Sequence, residues 1–170
     1  EGIRPADVAI FYRTNAQSRS FEEELLKYDI PYTVVGGVRF YDRAEIKDAM
    51  AYLRLVVNPA DDQALLRIVN KPARGLGKTT MDKVGVLAAR DQIGLMDGLR
   101  AFGTEAPARE AGKIGSFLKL LKEFHGEAQV RPLDQLIGRV LDRTGYLDNL
   151  AKEGTPESEA RRDNLLELMA

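Results

Sequence analysis

Residues 71–80 read KPARGLGKTT, and Gly77-Lys78-Thr79 is the ending that a phosphate-cradling P-loop needs. Glycines let backbone N–H groups close around the phosphates, the lysine reaches the outer ones, and the hydroxyl meets Mg2+. The full pattern, G-x-x-x-x-G-K-[ST] between a strand and a helix, places its first glycine at position 72. That position is Pro72, which offers no N–H and cannot take a positive φ. Leu65 to Asn70, just before it, reads as a helix and not as a strand. A free-standing P-loop is therefore excluded.

What remains is a glycine turn between two helices. From residue 67 to 83 there are five cations (Arg67, Lys71, Arg74, Lys78, Lys83) against one anion (Asp82), a local net of +4 in a chain whose formal net charge is −1. Arg74, Gly75, Gly77, Lys78, Thr79 and Thr80 supply cations, close backbone approach, hydroxyls and the positive end of a helix, which suits a nucleic-acid phosphate. A plain interhelical turn, its glycines serving geometry alone, fits the same residues, as a solvated helix face fits the charge run. A second turn, Asp142-Arg143-Thr144-Gly145-Tyr146 with Lys152 nearby, has similar logic through Thr144, Gly145 and Tyr146. There the structural reading leads on residues alone.

The elements around these turns begin as α/β and become helical. Asp7 to Tyr12 reads as a short buried strand. Thr14 and Asn15 offer caps for a helix through Phe21, Leu25 and Leu26. Tyr32 to Val35 reads as a second strand, so strand–helix–strand opens a parallel sheet. Apolar stripes at helical spacing follow: Ile46, Ala49, Met50, Leu53 and Val57, then Leu65 to Val69, then Met81 to Ala88. Gly94 and the stretch Gly103 to Pro107 punctuate the chain. Beyond them come Ile114 to Phe124, a helix opened by Pro132, and a last helix holding Leu165 to Met169. Glu153 to Ser158 reads as a polar linker. Two strands do not make a stable sheet, and the sequence ends inside a helical pattern, so a piece of a larger protein is expected.

Composition narrows the chemistry. Cysteine is absent and His125 is the single histidine, which excludes disulfides and argues against a zinc site; His125 reads as a helix-face or core residue. No apolar run reaches a membrane-spanning length, and the N-terminus lacks the basic and apolar regions of a signal peptide. A cytoplasmic protein with no metal site and no membrane partner is expected.

Three blocks in order resemble superfamily 1 DNA helicases of the UvrD/PcrA/Rep type. They are Ala9-Ile10-Phe11-Tyr12-Arg13-Thr14-Asn15-Ala16-Gln17-Ser18-Arg19 (similar to motif IV), Gly36 to Asp48, and Asn70-Lys71-Pro72-Ala73-Arg74-Gly75-Leu76-Gly77. They cover about residues 7–90; after residue 107 the likeness rests on Arg143-Thr144-Gly145-Tyr146 and the helix from Arg161 to Leu168. The resemblance implies an α/β fold: an incomplete RecA-like parallel-sheet lobe, strand–helix–strand then helices, followed by a mostly α-helical insertion domain. Residues 1–106 would be the N-terminal segment of the second RecA-like lobe, and residues 107–170 the first part of its helical insertion.

The same resemblance implies part of an ATP-dependent DNA helicase, related to DNA repair, that translocates on single-stranded DNA and unwinds duplex. Tyr12 would pack against adenine and Arg13 would reach the γ-phosphate as the catalytic arginine, which needs the other lobe to bring ATP. Arg74 to Thr80 and Thr144-Gly145-Tyr146 would contact DNA backbone. Glu45, Lys47 and Asp48 match family positions, though a polar helix face is the simpler account of them. ATP and Mg2+ are implied for the intact enzyme and none for this chain alone. Implied partners are single-stranded and duplex DNA, the first lobe, the remainder of the second, and repair or replication proteins. A different class of reading is a regulatory or protein-docking helical module with no direct DNA contact. Without a Walker loop, the 170-residue chain by itself is expected to release no phosphate from Mg2+–ATP in a coupled phosphate assay; turnover abolished by Lys78→Ala would overturn that expectation.

Overall fold

The computed structural model describes residues 2–170. Among them the regular elements are nine α-helices: α1 (Ser18–Lys27), α2 (Ala44–Val57), α3 (Asp62–Ile68), α4 (Lys78–Asp91), α5 (Leu95–Glu105), α6 (Ala108–Ala128), α7 (Leu133–Arg143), α8 (Tyr146–Glu153) and α9 (Pro156–Met169). Short 3-10 turns occupy Pro5–Asp7, Asn15–Gln17 and Phe40–Asp42. The chain forms two compact units, one from Glu1–Lys47 with Leu150–Ala170 and one from Asp48–Asn149.

The expected parallel sheet, and with it the α/β class and the RecA-like lobe, is not what the chain forms: no strand occurs among the described residues. Phe11 and Val35, within the two expected strands, are each 91% exposed. β-Branched and aromatic residues favour extended backbone, but a strand exists only when its N–H and C=O groups meet a neighbour's. Neither segment finds one, and the amide of Arg13 instead donates to Gln17 Oε1 at 3.0 Å.

Helix starts follow local chemistry. Thr14 and Gln17 form a reciprocal capping box ahead of α1. Pro132 stands at the N-cap of α7. The stretch that reads as a polar linker instead opens α9: Gly154 turns at φ +60°, and the Thr155 side chain accepts from the Ser158 amide, with Pro156 in the first turn. The glycines of α5 serve packing. A Cβ on Gly98 would lie 2.9 Å from Ala88 Cβ and 3.2 Å from the Val84 carbonyl oxygen, so this glycine lets α4 and α5 approach closely.

The unit from Asp48 to Asn149 is a helical stack in which α3 and α4 pack on α5, α5 on α6, and α6 on α7. Tyr52, Leu55, Leu65, Ile68, Leu76, Leu99, Ile114, Phe117, Phe124 and Leu141 are fully buried in it, each apolar side chain contributing roughly 1.5–3 kcal/mol. His125 is part of this scaffold: its Nδ1 lies 2.9 Å from the Val56 carbonyl oxygen, which can only accept, so Nδ1 carries the proton.

The other unit buries Phe40, Ile46 and Leu165 around a polar centre. Arg43, itself buried, donates to Asn164 Oδ1 and to Ser18 Oγ at 2.8 Å each and lies over the Phe40 ring. The Asn164 amide passes on to Glu45 Oε1 at 2.7 Å. Glu22, also buried, accepts from the Phe40 amide at 3.1 Å and from the Tyr32 hydroxyl at 3.0 Å. Asn164 thus links a buried guanidinium to a buried carboxylate, and removing it leaves both under-paired. Asn164→Ala is expected to cost about 2–4 kcal/mol, read as a fall in the urea midpoint at constant m-value, whereas exposed Arg162→Ala should change stability by less than about 0.5 kcal/mol.

Candidate functional site

The turn from residue 70 to 77 is held by side chains that point back into its own backbone. Asn70 Oδ1 accepts from the amides of Arg74 and Leu76 at 2.9 and 3.1 Å, which closes the loop, and Leu76 is fully buried beneath it. Gly75 takes φ +73°, a conformation that disfavours any side chain; a Cβ there would also collide with the end of Lys113. The Lys71–Pro72 peptide is cis.

Arg74 acts as a clamp. Its Nη1 donates to the carbonyls of Ile68 and Val69 at 3.0 and 3.1 Å, capping α3. Its Nη2 donates to the Tyr52 hydroxyl at 2.6 Å and the Lys71 carbonyl at 3.2 Å. The guanidinium also lies over the Phe117 ring, 5.0 Å from its centroid. Tyr52 in turn donates to the Lys71 carbonyl. Burial raises the Tyr52 phenol above its ordinary value, against the opposing pull of Arg74, so it stays a donor throughout the neutral range.

The remaining residues of this turn divide by exposure. Lys78 and Thr79 are exposed at the start of α4, whose N-cap, Gly77, contributes no side-chain bond. Thr80 is buried, and its hydroxyl donates to Glu110 Oε1 at 2.5 Å, which fastens α4 to α6. At the second turn the donors also face inward. The Thr144 hydroxyl bonds the Val140 carbonyl at 2.7 Å, the Gly145 amide bonds the Asp142 carbonyl at 2.8 Å with φ +71°, and the Tyr146 hydroxyl donates to Asp48 at 2.8 Å.

Both turns border one groove. It encloses about 620 Å3 and is lined by Arg74, Arg109, Lys113, Phe117, Arg143 and Thr144 among others, with no carboxylate in the lining. Arg109 makes no ion pair among the described residues, Lys113 reaches only the Gly75 carbonyl at 3.5 Å, and Arg143 pairs with Glu123 at 2.9 Å. The motif reading does not include Arg109 or Lys113. Their signal is the i, i+4 spacing on α6, with Gly112 and Ser116 between and beside them keeping that face low.

Arg13 lies elsewhere, in the other unit. It is exposed and borders a smaller recess of about 340 Å3 with Thr14, Asn15, Glu159, Asp163 and Asn164. Tyr12, next to it, is half-buried. Arg13 is the only cation in that lining and two carboxylates share it, so the residues present do not make a phosphate cradle. Arg13 is free to meet an anion that another body presents, and nothing more.

Asn70 governs the first turn, which gives a direct check. In Asn70→Ala two amides lose their acceptor, at a cost of about 1–3 kcal/mol, and the amides of Arg74 and Leu76 should move from slow to fast hydrogen exchange. Asn70→Asp, which keeps the acceptor, should retain their protection.

Comparison with known proteins agrees with this arrangement of motifs. Residues 1–141 match the family model described as the UvrD-like helicase C-terminal domain. The chain is 38% identical over 170 residues to a protein of Staphylococcus epidermidis named ATP-dependent DNA helicase PcrA, covering 99% of this chain and 23% of the relative. The Staphylococcus aureus protein of the same name is 39% identical with the same coverage. The chain thus spans about a quarter of the length of these relatives. With a family model matching most of its residues, the chain belongs to the UvrD-like helicase C-terminal domain family.

Proposed function

We propose that this chain is the part of an ATP-dependent DNA helicase that holds nucleic-acid backbone, and that the groove between the glycine turns and α6 is where it does so. The observation that carries the reading is the groove's lining: cations from the turn at Arg74, from α6 and from the end of α7, and no carboxylate, in a chain whose net charge is −1. A lining of one sign attracts a polyanion and is indifferent to base sequence. Arg109 and Lys113 make the phosphate contacts, with Lys78 and Thr79 exposed at the near end of α4 as further donors. Arg74, Gly75, Gly77, Thr80, Thr144 and Gly145 shape the turns that carry them. The names of the staphylococcal relatives favour DNA as the polyanion.

Arg13, with Tyr12 beside it, is assigned to the ATP site of the intact enzyme. It would neutralise charge developing on the γ-phosphate once another lobe delivers the nucleotide and Mg2+. The chain's contribution there is one exposed guanidinium at the edge of the motif IV stretch, free of any ion pair among the described residues.

Fluorescence anisotropy with a labelled forked DNA tests the groove. Arg109→Ala/Lys113→Ala should weaken binding about tenfold or more near 0.1 M salt and reduce the slope of log K against log salt by about 1.8, since each lost duplex phosphate contact removes about 0.9. Thr80→Ser, which keeps the bond to Glu110, should bind like the parent. Unchanged affinity and slope in the double variant would remove the groove from the binding surface.

A further inference from the structure

One group ties both turns together without touching the groove. Asp48, near the start of α2, has 3% of its side chain exposed and is met from three directions, by an ion pair and by two hydrogen-bond donors. Arg67 of α3 reaches Oδ1 at 2.7 Å and Lys71 reaches Oδ2 at 3.3 Å. The Tyr146 hydroxyl donates to Oδ2 at 2.8 Å. Lys71 opens the turn that carries Arg74, and its carbonyl accepts from both Arg74 and Tyr52. Tyr146 follows Gly145 directly, three residues after the groove cation Arg143. Tyr52 is four residues after Asp48, so the two present one face of α2 as the seat of the first turn. Residues 71 and 146 are 75 positions apart in sequence, and the Asp48 carboxylate bonds both.

We propose that Asp48 is a positioning residue for nucleic-acid binding: with Tyr146 it fixes the separation of the two turns, and so the distance between the cations on opposite sides of the groove. This rests on the reading of the groove as a phosphate-holding site. The geometry behind it is that a nearly buried carboxylate must keep its donors, so neither turn shifts without leaving that carboxylate under-paired. Neither Asp48 nor Tyr146 lines the groove, so both act through the residues they hold.

The sign of the effect makes the test decisive. By charge alone, Asp48→Asn removes a negative charge close to a polyanion site and should tighten DNA binding. Positioning demands the reverse. We expect folded Asp48→Asn, checked by circular dichroism, to bind the labelled forked DNA about tenfold more weakly. Its salt slope should be lower by about 0.9, one phosphate contact, which loss of stability in a still-folded chain would not produce. Tyr146→Phe, which removes a single hydroxyl, should give the same loss of slope, and combining it with Asp48→Asn should add little. If Asp48→Asn does not fold, Tyr146→Phe decides alone: an unchanged slope overturns the proposal, because loss of an uncharged hydroxyl contact leaves the slope intact. Parent-like or tighter binding by folded Asp48→Asn also overturns it, while Arg109→Ala/Lys113→Ala still reports on the groove itself. If that double variant binds like the parent, the groove reading fails first.

Discussion

A carboxylate nearly withdrawn from water is the constraint on which the larger unit is organised. Burying a carboxylate such as Asp48 without partners would cost several kcal/mol in lost solvation. Its partners come from α3, from the turn after α3 and from the start of α8. The two cations remain partly in solvent, Lys71 half exposed and Arg67 a third, so their attraction to Asp48 is screened. The carboxylate, not the ion pairs as such, is what makes the geometry obligatory. Tyr52, one helical turn later, extends the same seat through Arg74 and the Lys71 carbonyl.

The smaller unit solves a similar problem with a different centre. It buries few of its large apolar side chains, Phe40, Ile46 and Leu165 among them, and leaves others such as Phe11 and Val35 exposed; a small core supplies limited stabilisation. Arg43, Asn164, Ser18, Glu45 and Glu22 fill the interior as a hydrogen-bonded network instead. Such a network specifies which segments meet, since each donor must find its acceptor. It joins the start of α1 and the start of α2 to the middle of α9, which lies more than a hundred residues further along the chain.

Between them these two networks free other side chains for outward work. Arg74 stands in the most cationic stretch of the sequence, yet four of its contacts go to the protein itself. Because Arg74 holds the turn, the cations of α6, Arg109 and Lys113, border the groove beside a fixed frame. Pre-set geometry of this kind spares the ordering cost that a loose basic loop would meet on binding.

Much was legible in the sequence for local reasons. Capping chemistry at Thr14, the helix start at Pro132, helical stripes from Ile46 onward and the failure of Pro72 as a P-loop glycine depend on neighbours in the chain. The blocks from Ala9 to Gly77 carried the family as well. The strands did not follow, because Asp7 to Tyr12 and Tyr32 to Val35 have only a local preference for extended backbone, and a ladder is a property of two segments. Gly103 read as punctuation until Ile114 of α6 stood against it. Burial decided which of Thr79 and Thr80 faces solvent, and convergence in space decided that Arg109 and Lys113 stand beside turns that lie some way off in sequence on either side. Residue type set what each group could do; only tertiary structure chose its partner, because pairing across sequence distance is enforced by desolvation and packing rather than by any local preference.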